Sequence, residues 1–330
     1  MNEKNYIYIM KGIAAFCVVC AHVFPVPDGV NIWNRVTSDY LNYMGTMGVP
    51  VFFIISGYLF EKNTKKFIVF WRGKIKSVLV PWIFCETLLW LYVVLRKGGA
   101  TPKAWLLFIF GYQHTTYYLT ILIIMYLLFW MIKKDWELVI LIMVSIFSML
   151  STGWGWGISF INEWTGTFYL NPFNWMCFFA TGMLICRKDS FIVLADKAEK
   201  ILPILISASV LYFGLSVVVQ EEFSYFSRFA LAAHIINILL FFGLAGKILK
   251  SAGRTKNILM YLGKISFSIY LLHQFIAGIL VKATNYFDVF LVTLARPFVA
   301  IFIVAAIVWT VEKICCEKFR IIKILIGLRQ

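Results

Sequence analysis

Hydrophobic residues in this chain do not recur at the spacing of an ordinary amphipathic helix. They run in long unbroken stretches separated by short charged segments. Ten such runs are visible, at approximately 7–25, 45–60, 77–95, 117–132, 138–152, 169–186, 201–219, 228–249, 259–281 and 288–311. A helix needs roughly 17–25 apolar residues to cross the hydrocarbon core of a bilayer, so the pattern predicts an all-α, polytopic integral membrane bundle of about ten transmembrane helices. The fifth run is short, and Gly153, Trp154, Gly155, Trp156 and Gly157 follow it as an aromatic-glycine segment suited to an interface or a re-entrant loop. A further apolar piece, 104–112, is too brief to span. With Pro102 and Gly111 beside it, that piece reads as an outer-face loop of non-helical backbone buried in protein. Lys11 interrupts the first run, and no small-residue cleavage site follows Val23-Phe24-Pro25, so the run reads as a retained helix. No repeat, low-complexity tract or appended soluble domain is visible, and residues 1–330 read as a single membrane-embedded domain.

Composition agrees with the pattern. The chain is 61% hydrophobic and only 14% charged, against about 45–50% and about 25% in soluble domains, which excludes a water-soluble globule. A net charge of +15 would raise the question of nucleic acid in a soluble protein, but in a membrane protein Lys and Arg mark cytoplasmic loops. With both termini placed in the cytoplasm, 22 of the 31 Lys and Arg residues fall in the inner segments and five in the outer ones. The charge is therefore read as an orientation signal, with no nucleic-acid partner. Most of the seven Cys lie inside apolar runs, where small apolar packing is the default. Cys17 and Cys20 have C-x-x-C spacing but no second pair, so no metal site is expected.

Ionisable groups inside the apolar runs are costly and stand out as functional candidates. Lys11 and His22 lie eleven residues apart on the first helix, close to three turns, so they share a face about 16 Å apart. A snorkelling lysine and a packing histidine are the plain structural alternative. Glu86 sits mid-span in the third run, suited either to orient His22 or to pair with a buried cation. Ser266, Tyr270 and His273 fall at i, i+4 and i+7, on one face of a helix; a polar seam between helices explains them nearly as well. Ser56 and Gly57 permit close helix approach. The cationic run that ends in Arg72, Lys74 and Lys76 is explained by topology, or by a multiply phosphorylated cytoplasmic ligand. Glu163, beside Trp154, Trp156 and Trp164, is placed to hydrogen-bond sugar hydroxyls while the rings stack on sugar faces, interfacial anchoring being the alternative.

These pieces occur in an order that resembles a known family. Lys11-Gly12 followed by His22 on the first helix, then Phe52-Phe53-Ile54-Ile55-Ser56-Gly57-Tyr58-Leu59, then a cationic segment before Pro81, are similar to the membrane acyltransferase family 3, the integral O-acyltransferases of bacterial glycans. Tyr117-Tyr118-Leu119 with Tyr126 resembles the family's aromatic segment. Phe178-Phe179-Ala180-Thr181-Gly182 resembles its Phe/Gly helix, and the stretch from Leu262 to His273 its Ser…Tyr-Leu-x-His signature. Two positions depart from the pattern: the usual arginine of the first helix is Lys11, and the paired arginines before the third helix appear as Arg72, Lys74 and Lys76. Lysine keeps the charge and loses the bidentate fork.

The resemblance implies an O-acyltransferase, an O-acetyltransferase first of all, that moves an acyl group from cytoplasmic acetyl-CoA or another acyl-CoA to a hydroxyl of a cell-surface or lipid-linked glycan. It implies a multi-pass protein of the bacterial cytoplasmic (inner) membrane with no permanently bound cofactor. His22 is then the expected general base, because imidazole has a suitable pKa for taking a hydroxyl proton, with Glu86 and His273 assisting. Lys11, Ser56, Tyr58, Arg72, Lys74 and Lys76 are expected at the donor, and Tyr117, Tyr118, Glu163, Ser266 and Tyr270 at the acceptor. The competing expectation is a membrane transporter of a small polar solute or acyl group on the same fold. A scaffolding role is disfavoured by the cost of His22, Glu86 and His273 in a bilayer.

Overall fold

The computed structural model describes residues 3–112, 117–155, 167–221, 223–314 and 320–328. Among them every regular element is helical. The first half holds α1 (Glu3–Val23), α2 (Ile32–Glu61), α3 (Phe67–Lys74), α4 (Val80–Lys97), α5 (Pro102–Ile109), α6 (Tyr117–Leu128) and α7 (Asp135–Trp154). The second holds α8 (Met176–Arg187), α9 (Phe191–Lys200), α10 (Leu202–Val218), α11 (Ala230–Lys250), α12 (Arg254–Lys264), α13 (Ser266–Thr284), α14 (Phe290–Ile314) and the short α15 (Arg320–Leu325).

Seven helices are long and apolar enough to cross a membrane, or eight if the bent pair α9 and α10 is one span. That is fewer than the ten runs suggest. The fourth and sixth runs form the shorter apolar helices Tyr117–Met131 and Met176–Arg187. The seventh belongs to a pair bent by 75°, with Pro203 in the first turn of α10, where its missing N–H costs nothing. The ninth is broken at Ile265 into α12 and α13. The 104–112 piece is not irregular backbone: it forms helix α5, begun by Pro102 and ended near Gly111 at φ +79°. The aromatic-glycine segment continues α7 through Trp154 and stops at Gly155, whose left-handed φ of 68° caps the helix; Trp156 onward lies outside the described residues. Between α3 and α4 a π turn, Ile75–Leu79, precedes Pro81, which has no N–H to continue the i→i−4 ladder. Phe147, Val210, Val218 and Phe302 are more than half exposed on their helices, as side chains facing acyl chains are.

The chain forms two compact units. The first comprises the start of α1 up to Met10, Val49–Thr64 and Leu106–Lys256. There α7 packs on α8, and α11 on α9 and α10. The Gly57 and Gly182 positions are reciprocal: a Cβ on Gly57 would collide with the Phe179 carbonyl, and one on Gly182 with that of Ile54. The C-terminal part of α2 and the first half of α8 thus lie backbone to backbone, as small residues allow. At the end of α8, Arg187 grips both Glu61 carboxylate oxygens, at 2.9 and 3.2 Å, and donates to Asp135 at 3.3 Å.

The second unit comprises Lys11–Gly48, Lys65–Trp105 and residues from Asn257 onward. Here α13 runs along α14, and α13 and α15 pack on α4. The first part of α2 presses on α1 through Gly45 and Gly48: a Cβ at Gly45 would stand 2.6 Å from the Cα of Ala21, and one at Gly48 2.7 Å from the carbonyl of Ala14. Asn31 caps α2, its side-chain oxygen accepting from the N–H of Asn34 at 3.0 Å. The same turn is held to the α13–α14 connection by Asp288, which accepts from the Asn31 N–H at 2.9 Å and the Asn34 amide at 3.0 Å.

Candidate active site

Two helices of the second unit bring two of the polar residues of the apolar interior together. On α1, His22 is half-buried one residue before the helix ends. Its ring meets that of His273 on α13 edge to face, with centroids 4.8 Å apart and planes at 61°. His273 is 1% exposed. Its Nδ1–H donates back to the carbonyls of Ile269 at 3.0 Å and Tyr270 at 2.7 Å. In the neutral ring those bonds place the proton on Nδ1 and leave Nε2 as the lone-pair nitrogen. Nε2 is buried with no hydrogen-bond partner among the described residues. The pair therefore consists of one accessible imidazole and one interior imidazole of fixed tautomer.

Of the other residues singled out in the sequence, Tyr270 places its ring 5.9 Å from His273, and Ser266 is buried on the same helix. Glu86 on α4 is 3% exposed, and its Oε2 has no hydrogen-bond partner among the described residues. No hydrogen bond joins it to His22 there. Lys11 is half-buried on α1. Arg72 and Lys76 are exposed and Lys74 half-buried, its ammonium 5.2 Å over the Phe70 ring. Neither Arg72 nor Lys76 makes an ion pair among the described residues.

In the first unit, Ser56 and Tyr118 place their hydroxyls 3.3 Å apart. Tyr58 is buried against Phe191, with ring centroids 4.8 Å apart. Tyr117 stacks on Trp175 at 5.4 Å, within a cluster that includes Tyr169 and Tyr225. His234 is a satisfied packing histidine, its Nε2 2.9 Å from the Tyr225 carbonyl and its ring edge-on to Phe178. Glu163 lies outside the described residues.

Sequence reasoning passed over one residue. Arg296 on α14 is 2% exposed, and its guanidinium donates to four oxygens: Thr284 Oγ1 at 2.8 Å, Asn285 Oδ1 at 2.7 Å, and the carbonyls of Pro25 at 2.7 Å and Val23 at 3.2 Å. The signal available was an arginine next to Pro297, inside an apolar run whose one other charge, Asp288, stands at its very start.

Among protein families, residues 4–312 match the model described as an acyltransferase domain, Acyl_transf_3. No curated protein and no solved structure matches the chain.

Proposed function

The chain belongs to the membrane acyltransferase family 3, the match spanning all but its ends, and from that premise we propose a multi-pass O-acyltransferase that moves an acyl group, acetyl first of all, from cytoplasmic acyl-CoA to a glycan hydroxyl. The supporting observation is the half-buried His22 packed against His273, whose tautomer is fixed by two backbone carbonyls. In this reading His22 takes the proton of the acceptor hydroxyl as its oxygen bonds to the thioester carbonyl carbon. The carbon–sulfur bond then breaks, and the departing thiolate of CoA recovers the proton from the imidazolium. His273 holds the His22 ring, while Ser266 and Tyr270 on the same helix contact the acceptor. Glu86 assists from α4.

The donor side of the proposal rests on charge. Lys11, Arg72, Lys74 and Lys76 meet the phosphates of CoA, for which Arg72 supplies the bidentate fork. Ser56 and Tyr58 are assigned to the donor, and Tyr117, Tyr118 and Glu163 to the acceptor, on the family motifs they occupy. The orientation proposed has both termini in the cytoplasm and the protein in a bacterial inner membrane, on the distribution of Lys and Arg.

The test uses the purified full-length protein in vesicles with radiolabelled acetyl-CoA and surface glycans. Labelled glycan and free CoA thiol in equal amounts are expected, with turnover abolished in His22→Ala at unchanged melting temperature. Full turnover in that variant would sink His22 as the base. The sharp bend between α9 and α10 favours a second reading, transport, because broken helices line solute sites in carriers. Solute uptake into proteoliposomes without dependence on acyl-CoA would select it.

A further inference from the structure

Arg296 lies in the interior with no carboxylate in ion-pair range among the described residues. Arg187, by contrast, is matched by two. A buried guanidinium without a counter-ion is costly, so what offsets it here is informative. Its four acceptors belong to two helix ends. Val23 is the last residue of α1 and Pro25 lies two beyond it; Thr284 is the last residue of α13 and Asn285 its C-cap. At α1 the acceptors are carbonyls, which at a helix end have no partner within their own helix, at α13 they are side-chain oxygens, and the C-terminal dipole of each helix carries roughly half a negative charge. One cation thus serves two helix C-termini at once. The chain is tied further by Thr284, whose hydroxyl accepts from Arg296 and donates to the Leu280 carbonyl at 2.6 Å.

The same two helices carry the imidazole pair. His22 immediately precedes Val23, and the three carbonyls after it are all held by side chains: Val23 and Pro25 by Arg296, and Phe24 by Ser38 at 2.8 Å. We infer that Arg296 is a positioning residue for the reaction, fixing the end of α1 against the end of α13 so that His22 and His273 keep their edge-to-face contact. This inference rests on the acyltransferase reading for its catalytic consequence, and on geometry alone for its structural one. Lysine would retain the charge but offers a single point donor in place of the planar fork that spans four oxygens.

The experiment compares wild type, Arg296→Gln and Arg296→Lys as full-length protein in detergent, with two readouts. The first is carbethoxylation of individual histidines by diethyl pyrocarbonate, followed by peptide mass. His22 is expected to react about tenfold faster in Arg296→Gln as the end of α1 loosens, while His234 keeps its wild-type rate. An unchanged His22 rate, or equal acceleration at both histidines, overturns the inference. The second is acetyl transfer from acetyl-CoA. There kcat is expected to fall about 10²-fold, as for a misplaced catalytic group, with KM for acetyl-CoA held within about twofold. In a His273→Ala background the same substitution is expected to cost far less, because the contact it protects is already lost; a fully multiplicative loss overturns it. If Arg296→Gln does not fold, Arg296→Lys decides: a kcat loss with unchanged KM supports the inference, and wild-type kcat overturns it. Should the wild type transfer no acetyl group, the acetyl-transfer reading fails, and the carbethoxylation rates alone decide the role of Arg296.

Discussion

The rings of His22 and His273 meet edge to face with centroids 4.8 Å apart, although 251 positions separate them in the chain. If His273 acts by holding that partner, replacing it with Asn keeps a polar side chain and removes the ring. The expected result is a fall in kcat of about 10²-fold or more, with KM for acyl-CoA little changed and the melting temperature nearly preserved. Steady-state kinetics on the purified variant check this, and wild-type kcat would remove His273 from the site.

Close contact between α1 and α2 places a second demand on the same histidine. A methyl at Gly45 meets the Ala21 backbone next to His22, whereas one at Gly278 on α13 meets nothing within 4 Å. Gly45→Ala is expected to destabilise the protein by about 1–3 kcal/mol through overpacking and to lower activity beyond the loss of folded protein. Gly278→Ala is expected to be neutral or to stabilise by up to ~1 kcal/mol. Thermal unfolding of the two variants side by side gives the comparison, and equal melting temperatures would contradict it.

Asp288 provides a pH test outside the spans. Hydrogen bonds from the Asn34 amide, the Asn31 N–H and the Asn31 side chain hold its carboxyl below the ordinary value of 3.8. A folded pKa below the unfolded one contributes stability that is present above the unfolded value and is lost as pH falls through the folded one. The melting temperature of the wild type should therefore drop more steeply than that of Asp288→Asn between about pH 4 and pH 2. Parallel acid limbs would show that the interaction does not contribute.

Arg187 and Arg296 are expected to fail differently. Arg187→Ala removes a bidentate pair with Glu61 and two bonds to the chain before α7, the carbonyls of Ile132 and Lys133. A loss of about 1–2 kcal/mol is expected for charge-assisted bonds of this exposure, with turnover per folded molecule unchanged. Denaturation together with active-site titration separates the two effects; a loss of kcat without loss of stability would contradict the structural role.

Arg72 and Lys76, ahead of α4, are exposed, so their contribution to donor binding should be screened by salt. Combined Arg72→Ala and Lys76→Ala substitution is expected to raise KM for acyl-CoA several-fold at low ionic strength, with kcat preserved, and the difference should shrink in high salt. A KM that ignores both the substitutions and the salt would place the CoA phosphates elsewhere.

Much of the fold was legible because the solvent dictates it: each apolar run became helix, since only internal hydrogen bonding satisfies a backbone in lipid. What the runs did not disclose was where helices break. Ile265 is as apolar as its neighbours, and the 75° angle after Lys200 is not stated by the apolar run, although Pro203 marks where the next helix begins. At the site, His22 and His273 stood out as costly polar interruptions, but their contact is a tertiary fact. Arg296 went unread for the same reason. Its nearest backbone acceptors, Pro25 and Val23, are 271 and 273 residues away in the chain. Glu86 is the converse case, conspicuous in sequence yet given no hydrogen bond to His22 by the fold.

The short connection from α13 to α14 gains a particular meaning from these bonds. Asn285 is held by the guanidinium of Arg296 and Asp288 by the start of α2, while Tyr286 and Phe287 between them are 89% and 56% exposed. Variation in this loop should be confined to those two aromatic positions. An inserted residue would move one anchor out of register with the other, so the bonds constrain the length of the connection more tightly than its composition.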